Sequence, residues 1–174
     1  MVQINLVEPT THHQKAITAF KEAFPAGQKE IQGSSELVAA GDIGKWLDQI
    51  VKNKQWETIQ DGWVPGIQYL AINQQAIVVG MLSLRLSLND YLFNYGGHIG
   101  YSVRPDQRNK GYASEMLKLA LTEAKGLGLA NVLVTCADDN HASAKVIENN
   151  HGRLADKRVD QQEQKIIRRY WLTC

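Results

Sequence analysis

Six consecutive residues carry the strongest chemical signal in the chain: Arg108-Asn109-Lys110-Gly111-Tyr112-Ala113. They lie between an alternating apolar run, 98–103, and a periodic segment that begins at Ser114, which predicts a strand, a basic loop and a helix start. The first turn of a helix exposes unpaired N–H groups and a partial positive charge, and both attract phosphate. Gly111 lets a ligand approach the backbone, while Arg108 and Lys110 add formal charge. The loop is therefore predicted to bind a diphosphate.

Strands and helices alternate around this loop. An uninterrupted apolar run, 132–134, indicates a strand buried on both faces, as in a parallel pair. The strand before the loop, the helix after it and this buried strand then form a βαβ unit. Gly80, within a predicted strand, indicates a bulge or a close approach of another backbone segment, whereas 88–95 is ambiguous. The predicted strands are 2–7, 68–72, 76–86, 98–104, 132–134, 152–159 and 166–172, and the predicted helices follow Thr10, span 42–52 and 114–125, and end at Asn149.

Length and composition favour one soluble domain over residues 1–174. The chain has 44% apolar residues and a formal net charge of +1. That balance argues against a nucleic-acid or membrane surface, and no signal-peptide core or long apolar run is found, so a cytoplasmic protein is expected. Cys136 and Cys174 are too few for a disulfide framework, and the pair His12-His13 lacks further ligands. No metal site is predicted.

The loop resembles the (Gln/Arg)-x-x-Gly-x-(Gly/Ala) signature of the GNAT (GCN5-related N-acetyltransferase) family, through Arg108, Gly111 and Ala113. The order of elements is similar to that fold along nearly the whole chain. The stretches 97–105 and 132–136 are similar to a subgroup of bacterial proteins described as predicted acetyltransferases. The resemblance implies an α/β (α+β) single-domain acyl-CoA N-acyltransferase fold, with a mixed, mostly antiparallel sheet, a central parallel strand pair and flanking helices.

The cofactor that this resemblance implies is acetyl-CoA. In the family, the fourth and fifth strands splay apart and the pantetheine arm binds fourth-strand backbone, here Tyr101 to Val103. Asn140 matches an Asn that opens the family's fourth helix, although a plain helix cap explains it equally well. The residues expected to bind the cofactor are Ser102, Val103, Arg108, Asn109, Lys110, Gly111, Tyr112, Ala113, Ser114, Asn140 and Ser143.

The catalytic residues are less clearly marked, because many relatives carry a general-acid Tyr where this chain has Ile147. Tyr101 is available by type for that role, although a Tyr in an apolar strand is usually packing. His98 is the leading candidate base, since it lies near the position of a catalytic Glu in some relatives and titrates near neutrality. A buried histidine bonded to backbone is the alternative.

The implied activity is transfer of an acetyl group to a primary amine of a small molecule or peptide, by direct attack in a ternary complex. A longer acyl-CoA donor is the nearest alternative, and Ile147 favours a non-catalytic acyl-CoA-binding or sensor module. A dinucleotide-binding domain lacks its Gly-x-Gly-x-x-Gly turn. Monomer and homodimer both stay open. The acceptor pocket is expected to draw on Trp46, Trp56, Trp63, Tyr69, Arg85 and Asn89.

Overall fold

One mixed sheet of seven strands organises the molecule, whose computed structural model describes residues 2–174. The strands stand in the order β1-β2-β3-β4-β5-β7-β6, and every neighbouring pair is antiparallel except β4 with β5. This confirms the predicted fold class. The elements are β1 (Ile4–Val7), α1 (Gln14–Glu22), α2 (Ile43–Lys52), β2 (Gly66–Asn73), β3 (Val78–Arg85), β4 (Ile99–Val103), α3 (Tyr112–Gly126), β5 (Asn131–Ala137), α4 (His141–Asn149), β6 (Arg153–Asp160) and β7 (Lys165–Thr173).

Helices cover both faces of the sheet, and each face has its own core. Ile99 and Val103 of β4 pack with residues of α3 and α4, whereas Met81 of β3 packs with residues of α1 and α2. Successive side chains of a strand point to opposite faces. The odd-numbered residues of β4 therefore face α3 and α4, and its even-numbered residues face α1 and α2.

The predicted irregularity at Gly80 is confirmed. The pairing of β2 with β3 shifts there, because Ala71 pairs with Gly80 while Ile72 pairs with Val78. A Cβ at Gly80 would lie 2.5 Å from the sulfur of Met116 and 2.8 Å from the carbonyl oxygen of Ser102. The bulge therefore lets α3 and β4 pack closely on β3.

β4 and β5 are in register at one position, where Ile99 faces Val134. Beyond Ile99 the two strands diverge, while β4 stays paired with β3 as far as Val103. The Arg104 N–H donates to the Val79 carbonyl on β3 at 2.8 Å. Since backbone groups alternate in direction along a strand, those of Tyr101 and Val103 point away from β3, into the gap before β5. This gap is called the β4–β5 opening below.

The segment 88–95, whose pattern predicts neither strand nor helix, leads into a π-helical turn at Leu92–Gly96. Asn89 starts that turn, because its Oδ1 accepts the Leu92 N–H at 2.9 Å. Across residues 2–174, every helix is too short or too polar to span a membrane.

Candidate active site

The N-terminus of α3 is open. Gly111 stands at the cap position in the left-handed conformation with φ of 87°, and Asn109 has φ of 60°. No side chain within residues 2–174 caps this end, and the first backbone bond runs from the Glu115 N–H to the Gly111 carbonyl. The N–H groups of Tyr112, Ala113 and Ser114 precede that bond, so they lack helical partners and are free to bind an anion.

Positive charge lies beside this helix end. Arg108 donates from Nε to the Val103 carbonyl at 3.3 Å, which places its guanidinium at the end of β4. Lys110 donates from Nζ to Gln107 at 3.0 Å and is exposed. A Cβ added at Gly111 would meet only side-chain atoms of Val2, at 3.7 Å and beyond. The structure thus provides an uncapped, basic and accessible helix terminus.

Two hydroxyls link the sides of the β4–β5 opening. The Tyr101 hydroxyl lies 2.9 Å from the Ser143 hydroxyl, in the first turn of α4. Asn140 caps that turn by accepting the Ser143 N–H at 3.1 Å, so the helix-cap interpretation of Asn140 holds. Ser114 points to the other end of α4, where Asn150 donates to its hydroxyl at 3.1 Å. Ser102 faces α1 and α2, and its hydroxyl is buried without a partner in the described chain.

The groups around this pair stay protonated at neutral pH. Burial raises the pKa of Tyr101 to about 12, although the hydrogen bond with Ser143 opposes that shift. Burial likewise raises the pKa of the Cys136 thiol to about 11, against the influence of Arg168 and Ser143. Ile147 is fully buried in the core and contributes no polar group. The opening therefore contains hydroxyl donors and no thiolate.

The His98 ring is used to join β4 to β5. The ring Nδ1 accepts the Leu133 N–H at 2.9 Å, and the His98 backbone N–H donates to the Leu133 carbonyl at 2.7 Å. His98 is 6% exposed, and burial together with nearby Arg85 lowers its pKa to about 4. A base needs a free lone pair, but the Nδ1 lone pair is already occupied and Nε2 carries the proton. The geometry favours the buried-histidine interpretation over the predicted base.

A cavity of about 510 Å³ lies on the α1 and α2 face. Of the six residues expected to form the acceptor pocket, Trp63 and Arg85 line it. Trp46 is buried in the core, and Trp56 is 63% exposed. Tyr69 bonds Glu123 of α3 on the opposite face, and Asn89 bonds the Gly62 carbonyl.

The cavity adjoins the β4–β5 opening through Gly33, a contact that sequence reasoning missed. Gly33 lines the cavity, and a Cβ there would lie 2.4 Å from the Gly100 carbonyl oxygen. Gln68 holds this loop by donating to the Gly33 carbonyl at 2.8 Å and accepting from the Ser35 hydroxyl at 2.6 Å. Ser35 and Glu36 both have positive φ, a strained conformation that clusters at functional sites. The sequence Gly33-Ser34-Ser35 is typical of a loop, and it is the feature from which this contact region could have been predicted.

The two sites meet at β4 from opposite faces of the sheet: a basic helix end with a hydroxyl pair on one side, and a cavity on the other. The family model described as an acetyltransferase (GNAT) domain matches residues 9–153. The chain therefore belongs to the GNAT acetyltransferase family and is an acetyltransferase. No curated protein sequence matches it significantly.

Solved structures agree with this fold at low sequence identity. One is an acetyltransferase from Salmonella typhimurium that modifies the N-terminal serine of a 50S ribosomal subunit protein, with 18% identity, a TM-score of 0.70, and coverage of 100% of this chain and 96% of that chain. Another is a spermidine/spermine N-acetyltransferase from Vibrio cholerae, with 12% identity, a TM-score of 0.68, and coverage of 98% and 92%. A dodecameric spermidine N-acetyltransferase from Vibrio cholerae has 12% identity and a TM-score of 0.67 over 98% and 94%.

Proposed function

We propose that this chain transfers an acetyl group from acetyl-CoA to a primary amine of a small molecule or peptide, by direct attack in a ternary complex. The observation that carries the proposal is the divergence of β4 from β5 beyond the Ile99–Val134 pair. It leaves backbone groups of a central strand without a partner on the next strand, at a point that the α3 end reaches from one face and the cavity from the other. Two ligands bound on opposite faces could therefore meet between the strands.

The residues present fit the coenzyme. Uncapped N–H groups at Tyr112, Ala113 and Ser114 suit a pyrophosphate, and Arg108 and Lys110 suit its charge. Acetyl-CoA would supply a reactive acyl thioester. The Tyr101 and Val103 backbone groups, aimed into the opening, suit the amide groups of a pantetheine arm. One of their N–H groups would also stabilise negative charge on a carbonyl oxygen, as preorganised donors do.

The Tyr101–Ser143 pair would assist departure of the thiolate by hydrogen bonding. Each hydroxyl has one proton, so when one donates to the other, the second O–H stays available. Full protonation by Tyr101 is unfavourable, because its pKa is about 12 whereas a thiol ionises near 8.5, a difference of several kcal/mol. The pair therefore acts as a hydrogen-bond donor to the sulfur, which then takes its proton from solvent.

The amine must lose a proton before it attacks. With a pKa near 10.4, deprotonation at pH 7 costs roughly 4.6 kcal/mol. The bonded Nδ1 of His98 argues against this role for His98, and we propose instead the carboxylates of Glu30 and Glu36, both exposed residues that line the cavity. These carboxylates suit binding of an ammonium group and transfer of its proton to solvent.

The similar solved structures support an amine acceptor, because their described substrates are an N-terminal serine and polyamines. The test is a panel of small amines, polyamines and peptides offered with acetyl-CoA, with release of free thiol as the readout. We expect turnover with at least one amine. Turnover with only a longer acyl-CoA would replace the proposed donor, and coenzyme binding without turnover across the panel would contradict the proposed reaction.

A further inference from the structure

We propose that the cavity on the α1 and α2 face selects amines that also carry a carboxylate or a similar oxyanion, bound by Arg85. This inference rests on the proposed function, which supplies the amine. It adds that the acceptor also carries a negatively charged group. The cavity is of a size that suits a small ligand.

Arg85 is a half-buried cation whose hydrogen-bond partners in the protein are neutral. It ends β3 and lines the cavity, and its Nη1 donates to the carbonyl oxygens of Gly96 at 3.3 Å and Gly97 at 3.0 Å. A guanidinium has five N–H donors, so two carbonyl contacts leave most of its hydrogen-bonding capacity unused. None of the ion pairs formed between residues 2 and 174 includes Arg85.

A fully buried arginine of this protein, Arg169, provides an internal comparison. The Arg169 side chain is 3% exposed and pairs with the Asp156 carboxylate at 2.6 Å. Arg169 thus has the carboxylate that a buried charge requires. Arg85 has no carboxylate within the 4.0 Å of an ion pair in the described chain and faces a cavity, so the geometry suits a carboxylate that arrives with a ligand. A guanidinium binds a carboxylate through two parallel hydrogen bonds, which also fixes its orientation.

The other polar groups of the cavity suit a molecule with charges of both signs. Ser34 lines the wall and is 1% exposed, and its hydroxyl has no partner in the described chain. Glu30 and Glu36 line the same cavity and are exposed. The half-buried cation is therefore less exposed than the two carboxylates, of which Glu30 is near enough to interact with Arg85 electrostatically. An amine bearing an oxyanion complements this arrangement, whereas a polyamine would place positive charge against Arg85.

The experiment compares α-, β- and γ-amino acids with their amides, which keep the amine and replace the carboxylate by a neutral group. Affinities are measured by calorimetry on the full chain in the presence of coenzyme A, and kcat and KM by thiol release. For at least one pair we expect the acid to bind ten-fold or more tightly than its amide. In Arg85→Met this preference should disappear through a higher KM for the acid, while coenzyme A affinity is unchanged.

Arg85→Lys is the matched control, because it keeps the positive charge but loses the planar pair of donors. It should fold like the wild-type protein and retain part of the preference for the acid. Equal affinity of acid and amide in the wild-type protein would overturn the inference without any variant. An undiminished preference in a folded Arg85→Met protein would overturn it as well. The proposed function fails separately, if coenzyme A does not bind or no amine is acetylated, because acid and amide affinities can still be compared on the free protein.

Discussion

The hydroxyls of Tyr101 and Ser143 lie 2.9 Å apart and connect β4 to the first turn of α4 across the β4–β5 opening. If this pair donates a hydrogen bond to the departing sulfur, Tyr101→Phe and Ser143→Ala should each lower kcat about ten- to hundred-fold, the value of one hydrogen bond to a charged group. The acetyl-CoA Kd should change little, because the nucleotide end binds elsewhere. Steady-state kinetics and calorimetry measure the two effects.

The matched control is Tyr69→Phe, which removes a hydroxyl from a buried tyrosine that bonds Glu123 away from the opening. Its kcat should stay within about two-fold of the wild-type value if the effect at Tyr101 is local. An unchanged kcat in Tyr101→Phe and in Ser143→Ala would exclude the pair from the reaction.

A second prediction concerns the open end of α3. Gly111→Asp should raise the coenzyme A Kd about ten-fold or more, because a carboxylate would face the diphosphate with like charge. Gly111→Asn is the control: it has the same shape, tolerates the left-handed conformation that φ of 87° demands, and adds no charge. Calorimetry on both variants separates charge from backbone strain, and equal Kd values for them would contradict a phosphate site at this helix end.

A third prediction concerns pH. The pKa of His98 is lowered from 6.5 to about 4, so the unfolded chain binds a proton at a higher pH than the folded chain does. The stability that neutral His98 provides is complete above pH 6.5 and is lost as the pH falls through 4. The full contribution of neutral His98 to the free energy of unfolding is roughly 3 kcal/mol, from the difference between the two pKa values.

Urea denaturation at pH 7.5 and pH 4.5 measures this effect. His98→Asn is the control, because its Oδ1 could accept the Leu133 N–H while the side chain does not titrate. The free energy of unfolding should fall more steeply with acid in the wild-type protein than in His98→Asn. Parallel pH profiles of the two proteins would show that His98 is not held neutral in the folded protein.

A fourth prediction concerns Gly33, which has φ of 71° and a Cβ position 2.4 Å from the Gly100 carbonyl oxygen. Gly33→Ala must displace backbone, so we expect a loss of at least about 2 kcal/mol in the free energy of unfolding beyond that of a control glycine. Gly27→Ala is that control, since Gly27 has φ of 84° but nothing within 4 Å of its Cβ position. The free energy of unfolding of both variants is measured by urea denaturation. Equal losses would mean that the loop at Gly33 moves aside for the added methyl group at no extra cost, contrary to the prediction.

Local features of the fold can be predicted from the sequence because they depend on residues that are neighbours along the chain. The basic loop before α3, with glycine at its helix cap, was predicted from short-range spacing, as was the bulge at Gly80. Segment 88–95 could not be assigned, because its π-helical turn lacks a recognisable apolar period. The hydrogen bonds between His98 and Leu133 could not be predicted either, since they join residues 35 positions apart.

The order of strands and helices, the GNAT resemblance and the basic loop can all be predicted from the sequence, since repeating apolar patterns and a short motif encode them locally. The contacts of His98, Tyr101 and Arg85, in contrast, are known from the folded chain alone. Long-range packing bonds the His98 ring to backbone, brings Tyr101 to Ser143, and places the half-buried Arg85 in the wall of a cavity, bonded to carbonyl groups. A side chain's protonation and partners depend on its three-dimensional surroundings, which residue type and spacing do not specify.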